Sequence, residues 1–231
     1  MKLAEEGPVI TSIRIAEAPS RRSRRPRVRC AIELDGRPWA VLDGETVLRE
    51  GLKAGARLDP DGLAALLRRD EVIRARAAAL RRLALQPRSA MEARRCLLAS
   101  GFGEAVVDEA IAALESEGAL DDAALARRWA ARRRRQGDFA PARIEAELIA
   151  RGIEPTVAQR VATGSAEPDL IGDCARLLLR RRSRFEPLAE APNLDRVRAF
   201  LARRGFEPEV IEAALARVLG EAYVEPDAPS D

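Results

Sequence analysis

One phrase occurs three times in this chain and limits its fold more than anything else in it. Ala93, Leu97, Gly101, Phe102, Val106 and Val107 return as Ile144, Leu148, Gly152, Ile153, Val157 and Ala158, and again as Val197, Leu201, Gly205, Phe206, Val210 and Ile211. Each copy sets apolar residues eight and four places before a glycine, one directly after it, and two more five and six places after it. Spacings of four and eight lie on one helical face, and a glycine closing such a run is a helix stop. The phrase predicts a helix, a turn with its glycine in a left-handed conformation, and a second helix. The glycines stand 51 and 53 positions apart, a period of stacked helical units. Such arrays present binding surfaces far more often than catalytic centres.

The segments around the phrase are readable too. Residues 8–17, 27–34 and 37–42 alternate with period two, and Asp35-Gly36 is a hairpin pair, which predicts a small antiparallel sheet. A short helix over 45–52 is expected next, then a long one over 62–84 with Leu63, Leu66, Leu67, Ile73, Leu80 and Leu83 as its apolar stripe. The first repeat takes helices 89–99, 104–117 and 122–135; the second takes 141–151, 155–163 and 168–184; the third takes 194–204 and 208–220 and lacks a last helix. The expected domains are a β-rich region 1–60, a linking helix 61–87, repeats 88–137 and 138–186, a truncated repeat 187–222, and an acidic tail 223–231. The fold class is mainly α: tandem three-helix repeats in an elongated array, preceded by a small antiparallel β element.

Composition narrows the chemistry. Aromatics make up 3% of the chain against 47% hydrophobic residues, so the core is built from Leu, Val, Ile and Ala. No run approaches the ~18 apolar residues of a membrane span, and the first residues lack a secretory core; a cytoplasmic monomer without membrane contact is expected. Cys30, Cys96 and Cys174 are odd in number and scattered, and with no histidine in the chain they are expected to be buried and unpaired, with no metal site and no cofactor. The absence of histidine also removes Ser-His-Asp and Cys-His catalysis, and no phosphate loop or dinucleotide fingerprint is present. The doublet Asp121-Asp122 invites a catalytic reading, but its place before Ala-Ala-Leu-Ala-Arg-Arg-Trp favours a helix cap. No enzymatic activity is expected.

Charge points to a polyanion. Lys2 and Lys53 are the only lysines, so 38 of the 40 basic residues are arginines, a bias that a GC-rich coding sequence also produces. Their clustering carries more weight. Arg127, Arg128, Arg132, Arg133, Arg134 and Arg135 lie in one helix with no acid between 123 and 137, around an apolar face of Leu125 and Trp129. Arg176, Arg180, Arg181, Arg182 and Arg184 repeat the bias about fifty residues on, which favours a shared binding face over two solvated ones. Arg21, Arg22, Arg24 and Arg25, with Arg27 and Arg29, form a third cluster between two strands, expected to be an extended loop ordered only when an anion neutralises it.

Several of these segments resemble the regulatory protein RecX family: Arg88-Ser89-Ala90-Met91-Glu92-Ala93-Arg94-Arg95-Cys96-Leu97-Leu98 with Gly101-Phe102, Gly118-Ala119-Leu120-Asp121-Asp122 with Ala126 and Arg127, Glu147-Leu148 with Arg151-Gly152-Ile153, and Leu201 with Arg203-Arg204-Gly205-Phe206. The similarity covers roughly 80–219. It implies a modulator of the RecA recombinase that lies in the groove of the RecA–DNA filament, impedes ATP hydrolysis and strand exchange, and promotes disassembly, within DNA recombination, repair and the SOS response. The implied partners are the RecA filament and, by direct contact, single-stranded DNA. Trp129 departs from the smaller apolar residues usual in the family. A general nucleic-acid-binding helical protein that acts without RecA is the alternative.

Overall fold

The structure, a computed structural model, describes residues 7–16, 28–136, 139–164 and 169–221. Asp35 and Gly36 both have positive φ, 48° and 76°, the conformations a type I′ hairpin requires. Their turn joins β2 (Arg29–Leu34) to β3 (Arg37–Asp43), and β1 (Ile10–Ala16) completes an antiparallel sheet of order β1-β2-β3. Ile10, Cys30, Ile32, Leu34 and Leu42 form its buried core with Leu66. Asp43 then caps α1 (Gly44–Arg49) by accepting the Glu45 amide, and α2 (Gly62–Leu83) follows.

Helix α2 serves two cores, which corrects its expected stripe. Leu66 belongs to the sheet, whereas Val72, Ala75, Ala78 and Ala79 pack with α3 (Ala90–Leu98) and α4 (Glu104–Ser116). Leu67 and Leu80 are consequently 43% exposed each, because a helix that changes partner midway changes its buried face, and alanines let the second partner approach closely. At the changeover Asp70, 3% exposed, accepts the Asp43 amide at 2.6 Å and the Thr46 hydroxyl at 2.7 Å. One buried carboxylate so ties the last strand and α1 to α2.

The remaining helices are α5 (Asp122–Gln136), α6 (Pro141–Ala150), α7 (Pro155–Thr163), α8 (Leu170–Arg180), α9 (Ala191–Ala202) and α10 (Pro208–Glu221). The phrase closes alike in all three places. Gly101, Gly152 and Gly205 have φ of 88°, 85° and 86°. Each glycine amide donates to the carbonyl three residues back at 2.8–2.9 Å, and each following amide donates to the carbonyl five back at 3.1–3.4 Å. These paired bonds are the Schellman closure, and the residues eight and four before each glycine and six after it are all buried. Within each hairpin of the first and third copies an ion pair spans the turn: Arg94 to Asp108 at 3.0 Å and Arg198 to Glu212 at 2.7 Å. The middle copy has Glu145 and Gln159 at the same two places.

Packing groups the helices differently from the sequence expectation. The core of α5, α6 and α7 contains Leu125, Ala126, Ala130, Ile144, Leu148, Ile153, Ala158 and Ala162; that of α8, α9 and α10 contains Cys174, Leu177, Leu178, Val197, Leu201, Phe206 and Ile211. Each phrase is completed by the helix before it, as α2 completes α3 and α4. Boundaries at 88–137, 138–186 and 187–222 therefore run one helix out of step with the packing, and the last group, counting α8, has three helices. The chain divides into two compact units at this same step, Met1–Leu120 and Asp121–Asp231. The helix expected over 168–184 is also shorter. After Arg180 the chain turns through a 3-10 segment, Arg182–Arg184, which lets Phe185 and Leu188 enter the core of α8 to α10.

Candidate functional site

Four consecutive arginines on a helix sweep about 300° of its circumference, so Arg132 to Arg135 cannot all face water. Arg133 turns inward. Its Nε and Nη2 donate to Glu147 Oε2 and Oε1 at 2.7 and 3.0 Å, and its guanidinium lies 4.9 Å from the Trp129 ring centre and 4.5 Å from that of Phe139. Trp129 Nε1 donates to the same Glu147 oxygen at 3.0 Å, and the Arg151 guanidinium stands 4.6 Å from the indole centre. Glu147, its side chain 15% exposed, also pairs with Arg143 at 3.3 Å. A carboxylate met by a bidentate guanidinium and an indole N–H inside an aromatic bracket is a structural lock joining α5 to α6.

Arg134 is held as well. Its Nη2 donates to the carbonyl oxygens of Val161 and, at 2.9 Å, Ala162, at the carboxyl end of α7, where unpaired carbonyls attract a cation. The expectation that Arg132 to Arg135 form one exposed end is corrected for Arg133 alone; Arg134 is exposed, although its Nη2 is engaged by the end of α7. Glu147 is the residue sequence reasoning overlooked as an anchor; Trp129 and Arg133, four apart on one helix, were the available signal.

Arg127, Arg128, Arg132 and Arg135 remain exposed, and among the described residues no carboxylate pairs with them. Arg128, Arg132 and Arg135, at spacings of four and three, make a ridge ~10 Å long at ~1.5 Å rise per residue. The second cluster is more engaged. Arg176 pairs with Asp173 and stands 4.0 Å from Asp169, and Arg182 pairs with Glu186 at 3.2 Å, while Arg180, Arg181 and Arg184 are exposed. The structure does bring the two arginine helices together at one point. Arg134 of α5 and Arg176 and Arg180 of α8 line a cleft of about 350 Å³ with Asp173, Phe139, Ala140 and Phe206. Arg21, Arg22, Arg24 and Arg25 lie outside the described residues.

The other candidates resolve into structure. Asp121 accepts the Ala124 amide at 2.7 Å and so caps α5. The three cysteines are unpaired. Burial pushes the Cys174 thiol up to about 11 and also raises Cys30, so neither offers a thiolate near neutral pH, and Cys96 is half-buried rather than buried as expected. Among the described residues no cluster of metal-ligating side chains occurs, and no helix is long and apolar enough to cross a membrane.

Comparison with known proteins places these features. Residues 121–161, which hold α5, α6 and most of α7, match the family model described as RecX, second three-helix domain. The regulatory protein RecX of Geobacillus kaustophilus is 30% identical over 207 residues, covering 87% of this chain and 76% of that one. The corresponding Trichlorobacter lovleyi protein is 34% identical over 58% of this chain and 88% of its own length, and the Thermus thermophilus protein is 38% identical over 56% and 83%. Among solved structures, a crystal structure of regulatory protein RecX superposes with a TM-score of 0.67 at 22% identity over 89% of this chain and 97% of that one. A RecX from Lactobacillus salivarius gives 0.56 at 19% over 64% and 97%. At those identities the structures speak for the fold alone.

Proposed function

The chain belongs to the RecX family, and from that premise we propose that it is a non-enzymatic regulator that binds the RecA–DNA filament and restrains ATP hydrolysis and strand exchange. The observation that carries the reading is the ridge on α5. Four outward arginines without carboxylate partners among the described residues stand on the three-helix group that the RecX model matches. Such a ridge fits the phosphates or acidic side chains that a nucleoprotein filament exposes. Arg133 takes no part in this contact, since the lock with Glu147 already engages it.

The test is RecA ATPase activity on single-stranded DNA. The full chain is expected to slow hydrolysis; the variant Arg127→Glu, Arg128→Glu, Arg132→Glu, Arg135→Glu is expected to lose most of that effect with an unchanged circular dichroism melt. Full inhibition by the variant would remove the ridge from the contact, and no inhibition by the parent chain would remove RecA from the reading. A polyanion ridge also suits a nucleic-acid-binding protein that acts without RecA, which the second outcome, joined to retained DNA binding, would favour.

A further inference from the structure

The cleft between α5 and α8 differs from the ridge in kind. The ridge arginines have no carboxylate partner among the described residues; the cleft is concave, and Arg134 and Arg176 in it are held by the protein. Arg134 is fixed by two carbonyl oxygens of α7, and Arg176 is oriented by Asp173 and Asp169. Arg180, four residues on from Arg176, lies on the same face of α8. Three guanidinium groups converge with one lining carboxylate, Asp173, beside the apolar surfaces of Phe139, Ala140 and Phe206. Guanidinium groups fixed by acceptors that are not their ligand are preorganised for a bidentate anion. The volume, about 350 Å³, is at the lower end of small-ligand pockets, more than a bare inorganic anion fills.

We propose that this cleft seats one phosphodiester of a single-stranded nucleic acid, its adjoining sugar against Phe139, while the strand continues along α5 toward Arg127. The proposal deepens the preceding reading and rests on its polyanion contact, not on RecA. Continuity favours a nucleic-acid strand. Arg134 shares one face of α5 with Arg127, seven residues back, and that ~10 Å separation at ~1.5 Å per residue matches about three phosphates at ~3.4 Å per stacked nucleotide. A single evenly charged polymer can reach Arg127 from the cleft. The lining groups, three guanidinium groups against one carboxylate, leave a net positive charge that attracts the anionic oxygens of a diester.

Anisotropy of a fluorescent oligothymidylate without RecA, measured across a series of salt concentrations, tests the proposal with the full chain. Arg176→Gln with Arg180→Gln is expected to weaken binding several-fold and to lower the slope of log affinity against log salt by roughly 0.7 for each phosphate left without its arginine. Arg37→Gln, an exposed arginine of β3, is expected to leave both unchanged. Both cleft residues are exposed, and an unchanged melt confirms that the double variant is folded; a second variant, Phe139→Leu, keeps the charge and is expected to weaken affinity at unchanged slope. An unaltered affinity and slope in the double variant overturns the proposal, as does equal competition by oligoglutamate at matched charge, which would make the cleft a carboxylate site. RecA ATPase measured in parallel separates the two ideas: a parent chain that binds DNA through Arg176 and Arg180 without affecting RecA sinks only the regulatory reading, whereas inhibition with a cleft-independent slope sinks only this one.

Discussion

The first and third helix hairpins cross their turns with the same ion pair, Arg94 to Asp108 and Arg198 to Glu212, seven residues either side of the glycine. The middle hairpin, α6 with α7, has Glu145 and Gln159 there and places its strong polar contact elsewhere, in the Arg133–Glu147–Trp129 lock between α5 and α6. The exposed pairs contribute little, as ion pairs in water do; the lock is half sheltered and bidentate. The middle group thus draws on α5 for stability, and α5 also carries four exposed arginines with no carboxylate partner among the described residues. One helix supplies both the lock and the ridge, so its positive charges divide by direction rather than by position in the cluster.

The largest effect should come from the turns themselves. Gly101 and Gly205 have nearly the same φ, 88° and 86°, yet a Cβ at Gly101 would meet nothing within 4 Å, while one at Gly205 would stand 2.6 Å from Arg143 Cβ and 3.0 Å from its backbone nitrogen. Gly101→Ala is expected to cost about 1–2 kcal/mol for the left-handed backbone alone; Gly205→Ala adds overpacking of about 1–3 kcal/mol more. Denaturant melts of both variants check the difference, and equal losses would mean that Gly205 does not seat the third hairpin on α6.

Next comes the lock. Glu147→Gln leaves the Arg133 guanidinium between two rings without its carboxylate, an expected loss of about 2 kcal/mol, whereas Asp108→Asn in the first hairpin should cost about 0.5 kcal/mol or less. If the two variants melt alike, the contrast between the hairpins fails. The same logic makes Arg133→Glu a folding defect rather than a binding one.

The smallest effect sharpens the comparison at α7. Glu154 caps that helix, and hydrogen bonds from the Thr156 hydroxyl and from the Thr156 and Val157 amides hold its carboxyl below the ordinary value of 4.5. A lowered folded value stabilises above the unfolded value and is lost as pH falls through the folded one. The stability gap between the parent chain and Glu154→Gln should therefore be full at pH 7 and narrow steadily below about pH 4.5; a gap that does not change with pH would deny the carboxylate its capping role.

Much of this was legible beforehand, for identifiable reasons. Helix ends were, because a glycine closing a helical apolar run marks a left-handed turn that other residues resist, and Ser89 and Asp121 are strong caps. The sheet was, because Asp35-Gly36 marks its turn. The grouping of helices was not: the phrase describes only the two helices of a hairpin, and nothing in it says whether the helix before or the helix after completes the core. The cluster on α5 was visible as a count, but with arginine at four successive places no helical wheel can say which of them the protein engages. That required knowing that Glu147 and the end of α7 lie beside them.

The Schellman closures have a consequence for how such a chain can vary. Each turn is fastened by main-chain bonds, so it asks the genome for one letter, glycine, and leaves the rest of the hairpin to any residues of suitable size and polarity. Substitutions can accumulate on both helices without altering the angle between them. A construction of this kind lets side chains change while the main-chain closure of each turn stays the same.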